Sequence, residues 1–543
     1  MAISTDKTLV MARIVSEHCD LHPDLDALTF VNVTSNGSLS EEVRTYQQLW
    51  DNGQRIAAAL DREHMIEGEA FGLLMHNHPE FVDAMVGASI TNTVFVPIDP
   101  RTKPDKLSYM LGFSECRGVI VADYALGSLL SALEALPALK WVWVLDSSGH
   151  GAGIDKDTLL HSSLCRPLDV IYSNPVTDIT VRANDPLAPM QYLYTSGTTG
   201  DPKAIVVPHV RFSGNATMGE LFGLRPGDRP YTGLSLTHAN AQIITLGMGL
   251  YMGLRMVISR KFSKSQLWNI TRHYGCTSFN LLGGMTTAIY SEAERDDDAD
   301  NPVRFVLSAG MPANLWDSFQ QRFDIQIFEF YGAAEGGITI NPPGVGPKGS
   351  IGKPLPGMEA RILDDNDREC APYQAGEIVF RSVVEETPLK VHYLKNSEAS
   401  RKKTVGGWLR MGDMGYRDEA GWLYFMHRSG GGVRRNGDFI DTAAVEKILA
   451  EHSAIEDVFV YGVPATSGAA GEKDLVAAIE ISSEASFDKF AIFEYCRERL
   501  DNNAVPSYLQ IVAAIPKTAS EKPLERLLLD SFSSVNPDVF TRQ

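Results

Sequence analysis

The chain has 543 residues, 44% hydrophobic and 22% charged, so it can build more than one packed core and has the ordinary polarity of a globular protein. Lys and Arg number 49 against 68 Asp and Glu, and the net charge of −19 excludes nucleic acid or an anionic membrane surface as the expected main partner. A small anionic ligand is not excluded, because it needs only a local cluster of donors.

The six cysteines (Cys19, Cys116, Cys165, Cys276, Cys370, Cys496) form no CxxC pair and no zinc spacing, so they are expected to be reduced. The opening MAISTDKTLVMARIV has no apolar core of signal-peptide length, and no apolar run approaches the roughly 18 residues needed to span a bilayer. A cytoplasmic protein without an integral membrane segment is the expectation.

In chain order, TYQQLWDNGQRIAAAL has apolar residues at helical spacing and FGLLM follows as a strand. PEFVDAMVGASI reads as a helix, VFVPI as a strand, KLSYMLGFSE as a helix and GVIVAD as a strand. LLSALEAL and WVWVLD repeat the alternation, which predicts α/β layers with largely parallel strands. Residues 147–185 are polar and irregular, and are expected to form a long surface connection. VISR, TSFNLLG, FVLSAG and QIFEFYG continue the strands. From about Gly349 the texture changes to turns separating EARILD, GEIVFRS and WLYFM, an expected antiparallel β subdomain. After Arg428 the run SGGG offers a hinge, and the remainder has the length and mixture of a small α+β domain.

Between two apolar runs lies YLYTSGTTGDPKAIV, residues 192–206. Glycine lets a backbone approach phosphate oxygens, hydroxyls donate to them, and a lysine supplies charge. The order of a Walker loop is absent, because Pro202 precedes Lys203. Taken alone, the stretch is equally a solvated connection between strands.

Its companions decide the matter. SAGMP, EFYGAAEGG, GEIVFR, WLRMGDMGYRDEAGWLYF, HRSGGGVRRNGDFI and IPKTASEKPLER follow in that order. The set resembles the adenylate-forming (ANL) superfamily of acyl-CoA synthetases, peptide-synthetase adenylation domains and luciferases, from about Thr45 to Arg526. FSKSQLWNITRHYGCTSFNLLGGM is similar to the carnitine/crotonobetaine-CoA-ligase-like members.

The resemblance implies a large N-terminal domain (residues 1–428) and a small mobile C-terminal domain (429–543). It implies a ligase that activates a carboxylic acid with ATP and Mg²⁺ to an acyl-AMP, then transfers the acyl group to coenzyme A. Thr195, Ser196, Gly197, Thr198, Thr199, Gly200 and Lys203 match the phosphate loop. Tyr331 matches the adenine-stacking residue within Tyr331, Gly332, Ala333 and Ala334, and Ser308, Ala309 and Gly310 match the segment lining the nucleotide and acyl pockets. Glu335, with Thr195, matches the metal-holding pair. Asp413 and Arg428 match ribose contacts, and Lys522 the C-terminal lysine that meets the reacting carboxylate. SLTHANAQ places His238 at the acyl pocket, with Gly283, Gly284 and Met285 as candidate wall. Gly437 matches the pantetheine tunnel, and Arg434 and Arg435 are candidates to meet coenzyme A phosphates.

The chain departs from the family pattern at several points. YGxTE reads YGAAE, so Ala334 replaces a hydroxyl donor to a charged oxygen, worth about 1.5–3 kcal/mol. Gly430 stands at the hinge position, which predicts easy swinging with no side chain to latch either pose. Near Gly437, RRNGDFI departs from the usual GEN or GxxI pattern. Glu521 stands where glycine is usual. The expected acid is small or medium in size, polar, aromatic or carnitine-like. Two other readings stay open: transfer to a carrier protein or another acceptor, and a nucleotide-binding homologue that has lost turnover. A homodimer is also left open.

Overall fold

The computed structural model describes all residues except 1–9, 35, 148–162, 196–201, 365, 384–388, 429–432, 436–437, 441, 467–472, 483–486, 501, 519–520, 522 and 543. Two large sheets enclose a layer of helices. One is seven-stranded, in the order Cys165–Pro167, Trp141–Leu145, Gly118–Ala122, Ala70–Leu74, Val94–Ile98, Pro189–Thr195, Lys203–Pro208. All its neighbours are parallel except the last pair. The other is nine-stranded and places Met256–Ser259, Pro230–Thr232, Ser278–Leu282, Phe305–Ala309 and Gln326–Ala333 side by side in parallel.

The apolar runs that read as strands are buried on both faces, as parallel strands covered by helices must be. Between the sheets, the helix Tyr46–Arg62 starts on a capping box formed by Thr45 and Gln48. It packs on the helix Pro79–Thr91, which is buried at every position. Glycine permits this close approach: a Cβ on Gly53 would lie 2.4 Å from Val86 Cγ1, and one on Gly87 2.5 Å from Ile56 Cγ2. The two charges the inner helix carries, Glu80 and Asp83, meet Arg44 at 3.0 and 3.4 Å. One continuous core then runs from Leu28 and Phe30 of the nine-stranded sheet through these helices to Phe71 and Ile120 of the seven-stranded sheet.

An antiparallel sheet of Met358–Leu363, Gly376–Ser382, Thr404–Val405, Trp408–Arg417 and Leu423–Arg428 follows, as the turn-rich texture predicted. A separate four-stranded sheet, Ile455–Pro464, Lys473–Ile481, Tyr508–Ile511 and Val539–Thr541, has its own cores with the helices Thr442–Ala450, Lys489–Arg499 and Glu525–Ser531. Polar contacts join it to the preceding part: Lys264 Nζ reaches Glu292 at 3.2 Å and Glu456 at 3.0 Å, and Asn314 Nδ2 donates to Glu451 at 2.9 Å. The connection expected to be wholly irregular carries a short strand, Cys165–Pro167, and one helical turn, Asp169–Tyr172. Its polar texture hid them, because a three-residue edge strand has no period to read.

Candidate active site

The hydroxyl-rich stretch is the connection of an antiparallel hairpin at the edge of the seven-stranded sheet. Thr195 pairs with Lys203 and Tyr194 with Ala204, so both ends of the connection are held together. A third segment seals the outer arm: Val206 N donates to the His392 carbonyl and Leu394 N to the Ala204 carbonyl, both at 2.8 Å. Ser196, Gly197, Thr198, Thr199 and Gly200 lie outside the described residues, as do Gly430, Gly437 and Lys522. Of Thr195, Arg428, Arg434 and Gly284 only the backbone is described.

The motif EFYGAAEGG forms a second hairpin, between Gln326–Ala333 and Gly336–Asn341, with Ala334 and Glu335 at its tip. Gly336 and Gly337 have φ of +129° and +70°, values an L side chain rarely adopts, so the paired glycines make the tip possible. Glu335 Oε1 accepts a 2.8 Å hydrogen bond from the Tyr393 phenol. The Lys203 ammonium lies 5.7 Å from the centre of the same ring. Tyr393 therefore joins the phosphate hairpin to the acidic tip, and the sequence reading did not single it out. Its position in VHYLKN, directly before the helix Ser397–Lys403, is the only local signal.

Four residues up the strand from Glu335, Tyr331 donates to Asp413 Oδ2 at 2.5 Å. Asp413 is buried in the strand Trp408–Arg417, and the antiparallel register sets it directly opposite Arg428. Gly332, Ala333 and Ala334 follow Tyr331 over the bulge of the hairpin, and both alanines are packed against the core of the antiparallel sheet.

Ser308, Ala309 and Gly310 end the strand Phe305–Ala309. Beneath them, Glu329 accepts the backbone N–H of Gly310 at 2.6 Å and of Met311 at 3.1 Å. Burial pushes the Glu329 carboxyl up to about 8, against the pull of those N–H groups. Gly283 meets this turn backbone to backbone, since a Cβ there would lie 2.8 Å from the Gly310 carbonyl oxygen. The Met285 side chain, named as candidate wall of the acyl pocket, is buried in the large core.

His238 precedes a π-helix, Ala241–Gly247, a geometry frequent at functional sites. Its Nε2 is buried without a partner, and burial lowers its pKa, with nearby Asp99 opposing. Asp99 is itself held by Arg101, at 3.2 Å from Nε and 3.1 Å from Nη2.

Arg435, a candidate to meet coenzyme A phosphates, also serves the C-terminal fold. Its Nη1 donates to the Asn503 and Val505 carbonyls at 3.0 and 2.6 Å. Glu521, beside Lys522, has φ of +58°, the left-handed conformation that explains why glycine suits this position.

Two family models match: AMP-binding enzyme over residues 15–384 and AMP-binding enzyme C-terminal domain over 444–522. The chain is 30% identical over 486 residues to the medium/long-chain-fatty-acid–CoA ligase FadD17 of Mycobacterium marinum, covering 88% of this chain and 89% of that one. It is 26% identical over 471 residues to the crotonobetaine/carnitine–CoA ligase of Escherichia coli O17:K52:H18, covering 85% and 88%. The structure of the anthranilate CoA ligase AuaEII with anthranoyl-AMP superposes with a TM-score of 0.81 at 23% identity, over 96% of each chain. The chain belongs to the AMP-binding enzyme family of adenylate-forming proteins, as an AMP-forming carboxylate–CoA ligase.

Proposed function

We propose that the side chains gathered by the phosphate hairpin and the Glu335 tip bind ATP, and that the acid activated there carries an apolar chain. The observation that carries this reading is the joining of Lys203, Tyr393 and Glu335 beside the Tyr331–Asp413 bond. These groups supply a cation for phosphate, a carboxylate for a metal, an aromatic face for adenine and an acceptor for ribose hydroxyls.

The chemical obstacle is that a carboxylate must approach a polyanion. Preorganised donors and cations remove it, because they need no reorganisation as charge develops. Lys203 and the hydroxyls of the loop 195–200 neutralise the phosphates. Among the described residues no cluster of three or more His, Cys, Asp or Glu could hold a metal alone. Mg²⁺ in such sites is held by one or two carboxylates together with substrate phosphates and waters. Glu335 is the residue that would hold it, since the Tyr393 phenol orients the carboxylate while leaving acceptor capacity. When bound, the ion neutralises charge on the phosphates.

Asp413 and Arg428, opposed across two strands, hold the ribose, and Tyr331 packs on the base. His238 borders the acyl site together with the Gly283–Gly310 contact. Lys522 contacts the reacting carboxylate, and residues 429–543 turn about Gly430 to admit coenzyme A past Gly437. A separate core for the four-stranded sheet supports that division. An apolar-chain acid is favoured over the carnitine-like one because FadD17, 30% identical, is named for medium- and long-chain fatty acids.

The test is pyrophosphate release over straight-chain, aromatic and betaine acids, with and without coenzyme A. Release and thioester formation rise with chain length if the reading is right. Turnover confined to betaine acids removes the apolar-chain assignment, and release without thioester points to another acceptor.

A further inference from the structure

The site reading leaves one cation unused. Arg211 belongs to the helix His209–Ala216, which starts immediately after the Lys203–Pro208 arm of the phosphate hairpin. Its guanidinium lies against the second hairpin: a Cβ on Gly336 would be 3.6 Å from Nη2, and 3.1 Å from Leu409 Cδ2 on the other side. Gly336 directly follows Glu335, so both hairpins converge on this side chain.

The surroundings are poor in partners. Burial pushes the guanidinium down to about 10, and the Glu335 carboxylate and Tyr393 phenol act in the opposite direction. It makes no hydrogen bond to any described residue. Other arginines of the same domain have acceptors: Arg44 has Glu80, Arg304 has Asp228, Arg322 has Asp298 and the Tyr290 carbonyl, and Arg229 has the Tyr274 carbonyl, although the Arg229 Nε is buried without a partner among the described residues. A guanidinium carries five N–H donors in a planar fork that matches phosphate oxygens. Arg211 is half-buried, so an anionic ligand can still reach a guanidinium that no described acceptor holds.

Ala334 adds an independent reason. It sits at the tip beside Glu335 and offers no hydroxyl where the family pattern has a threonine. The site is short of one hydroxyl donor, and the adjacent chain carries a cation without a hydrogen-bond partner among the described residues.

We infer that Arg211 is a catalytic residue of acyl-adenylate formation, donating to the β- or γ-phosphate of ATP and taking over part of the work left by Ala334. In that step a carboxylate oxygen forms a bond to the α-phosphorus as the bond from that phosphorus to the oxygen bridging the β-phosphate breaks. The bonding electron pair leaves with pyrophosphate, and the added negative charge falls beside the guanidinium. The inference rests on the nucleotide site proposed above.

The experiment compares Arg211→Met, Arg211→Lys and Lys203→Ala in the full chain. Three readouts are taken: kcat/KM for ATP, inhibition by pyrophosphate, and thioester formation from supplied acyl-AMP and coenzyme A. Arg211→Met should lower kcat/KM for ATP at least about tenfold and weaken pyrophosphate inhibition by a similar factor, while coupling of supplied acyl-AMP stays within about twofold. Arg211→Lys should retain an intermediate pyrophosphate affinity, and Ala334→Thr in the Met background should recover part of the loss. Equal losses in both half-reactions, or unchanged pyrophosphate inhibition, overturn the role of Arg211. If Arg211→Met does not fold, the pyrophosphate inhibition of Arg211→Lys decides: unchanged inhibition overturns the inference. If Lys203→Ala weakens pyrophosphate binding and the Arg211 variants do not, only this inference falls. If none of the three does, the phosphate site itself is wrongly placed.

Discussion

The Tyr331 phenol donates to the Asp413 carboxylate at 2.5 Å, tying the nine-stranded mixed sheet to the antiparallel sheet where the two meet. Asp413 lies in register with Arg428, so three residues from three strands converge. A hydrogen bond to a charged group contributes about 1.5–3 kcal/mol. Asp413→Ala, which removes the acceptor, should therefore raise KM for ATP by at least about tenfold. Tyr331→Phe keeps the ring and frees the carboxylate, and should change it by under about fivefold. Steady-state kinetics on both variants check this, and equal effects would mean that Asp413 serves only the fold.

The Gly283–Gly310 contact has no room for a methyl group, because the opposing atom is a backbone carbonyl oxygen at 2.8 Å from the Cβ position. Gly283→Ala must displace the turn that Glu329 holds by two N–H groups. A stability loss of about 1–3 kcal/mol is expected from overpacking. Urea midpoints measure it, and kcat/KM for the acid should fall more than tenfold if the turn borders the acyl site.

His209 is fully buried, neither ring nitrogen has a partner among the described residues, and burial lowers its pKa from 6.5 to about 4. The unfolded chain binds this proton near pH 6.5 and the folded chain does not, so the unfolded state gains protons first on acidification. The contribution of His209 is complete above pH 6.5 and is lost as pH falls through about 4. The difference corresponds to about 3 kcal/mol at most. Denaturant unfolding measured at a series of pH values should show this slope, and His209→Leu should flatten it.

Lys264 links Glu292 and Glu456 with roughly a third of each side chain exposed, at 35%, 39% and 38%. Solvent screening keeps such a pair below about 1 kcal/mol. Lys264→Ala should shift the balance of adenylate and thioester half-reactions by less than about fivefold, and salt should reproduce the shift in the parent protein. A larger change would make Lys264 a principal latch of the two parts.

Lys203, Tyr331, Glu335 and Asp413 were legible because they sit in short glycine-rich stretches whose chemistry is local. Tyr393, Arg211 and Glu329 were not. Tyr393 enters through a segment that joins the edge of a hairpin nearly two hundred residues earlier in the chain, with Val206 N bonded to the His392 carbonyl. Arg211 reads as an ordinary residue of an amphipathic helix, and Glu329 as one polar break in an apolar strand.

By itself, the sequence determined the succession of strands and helices, the change of texture after Gly349 and the glycines that allow the Glu335 tip. These depend on hydrophobic period and backbone freedom, which act between neighbours. The tertiary structure decided which hairpins face each other, that Asp413 opposes Arg428, and that Tyr393 bonds Glu335 while Arg211 has no acceptor among the described residues. Those relationships follow from strand order and register across two sheets, where side chains distant in sequence meet only after the helices between them are buried.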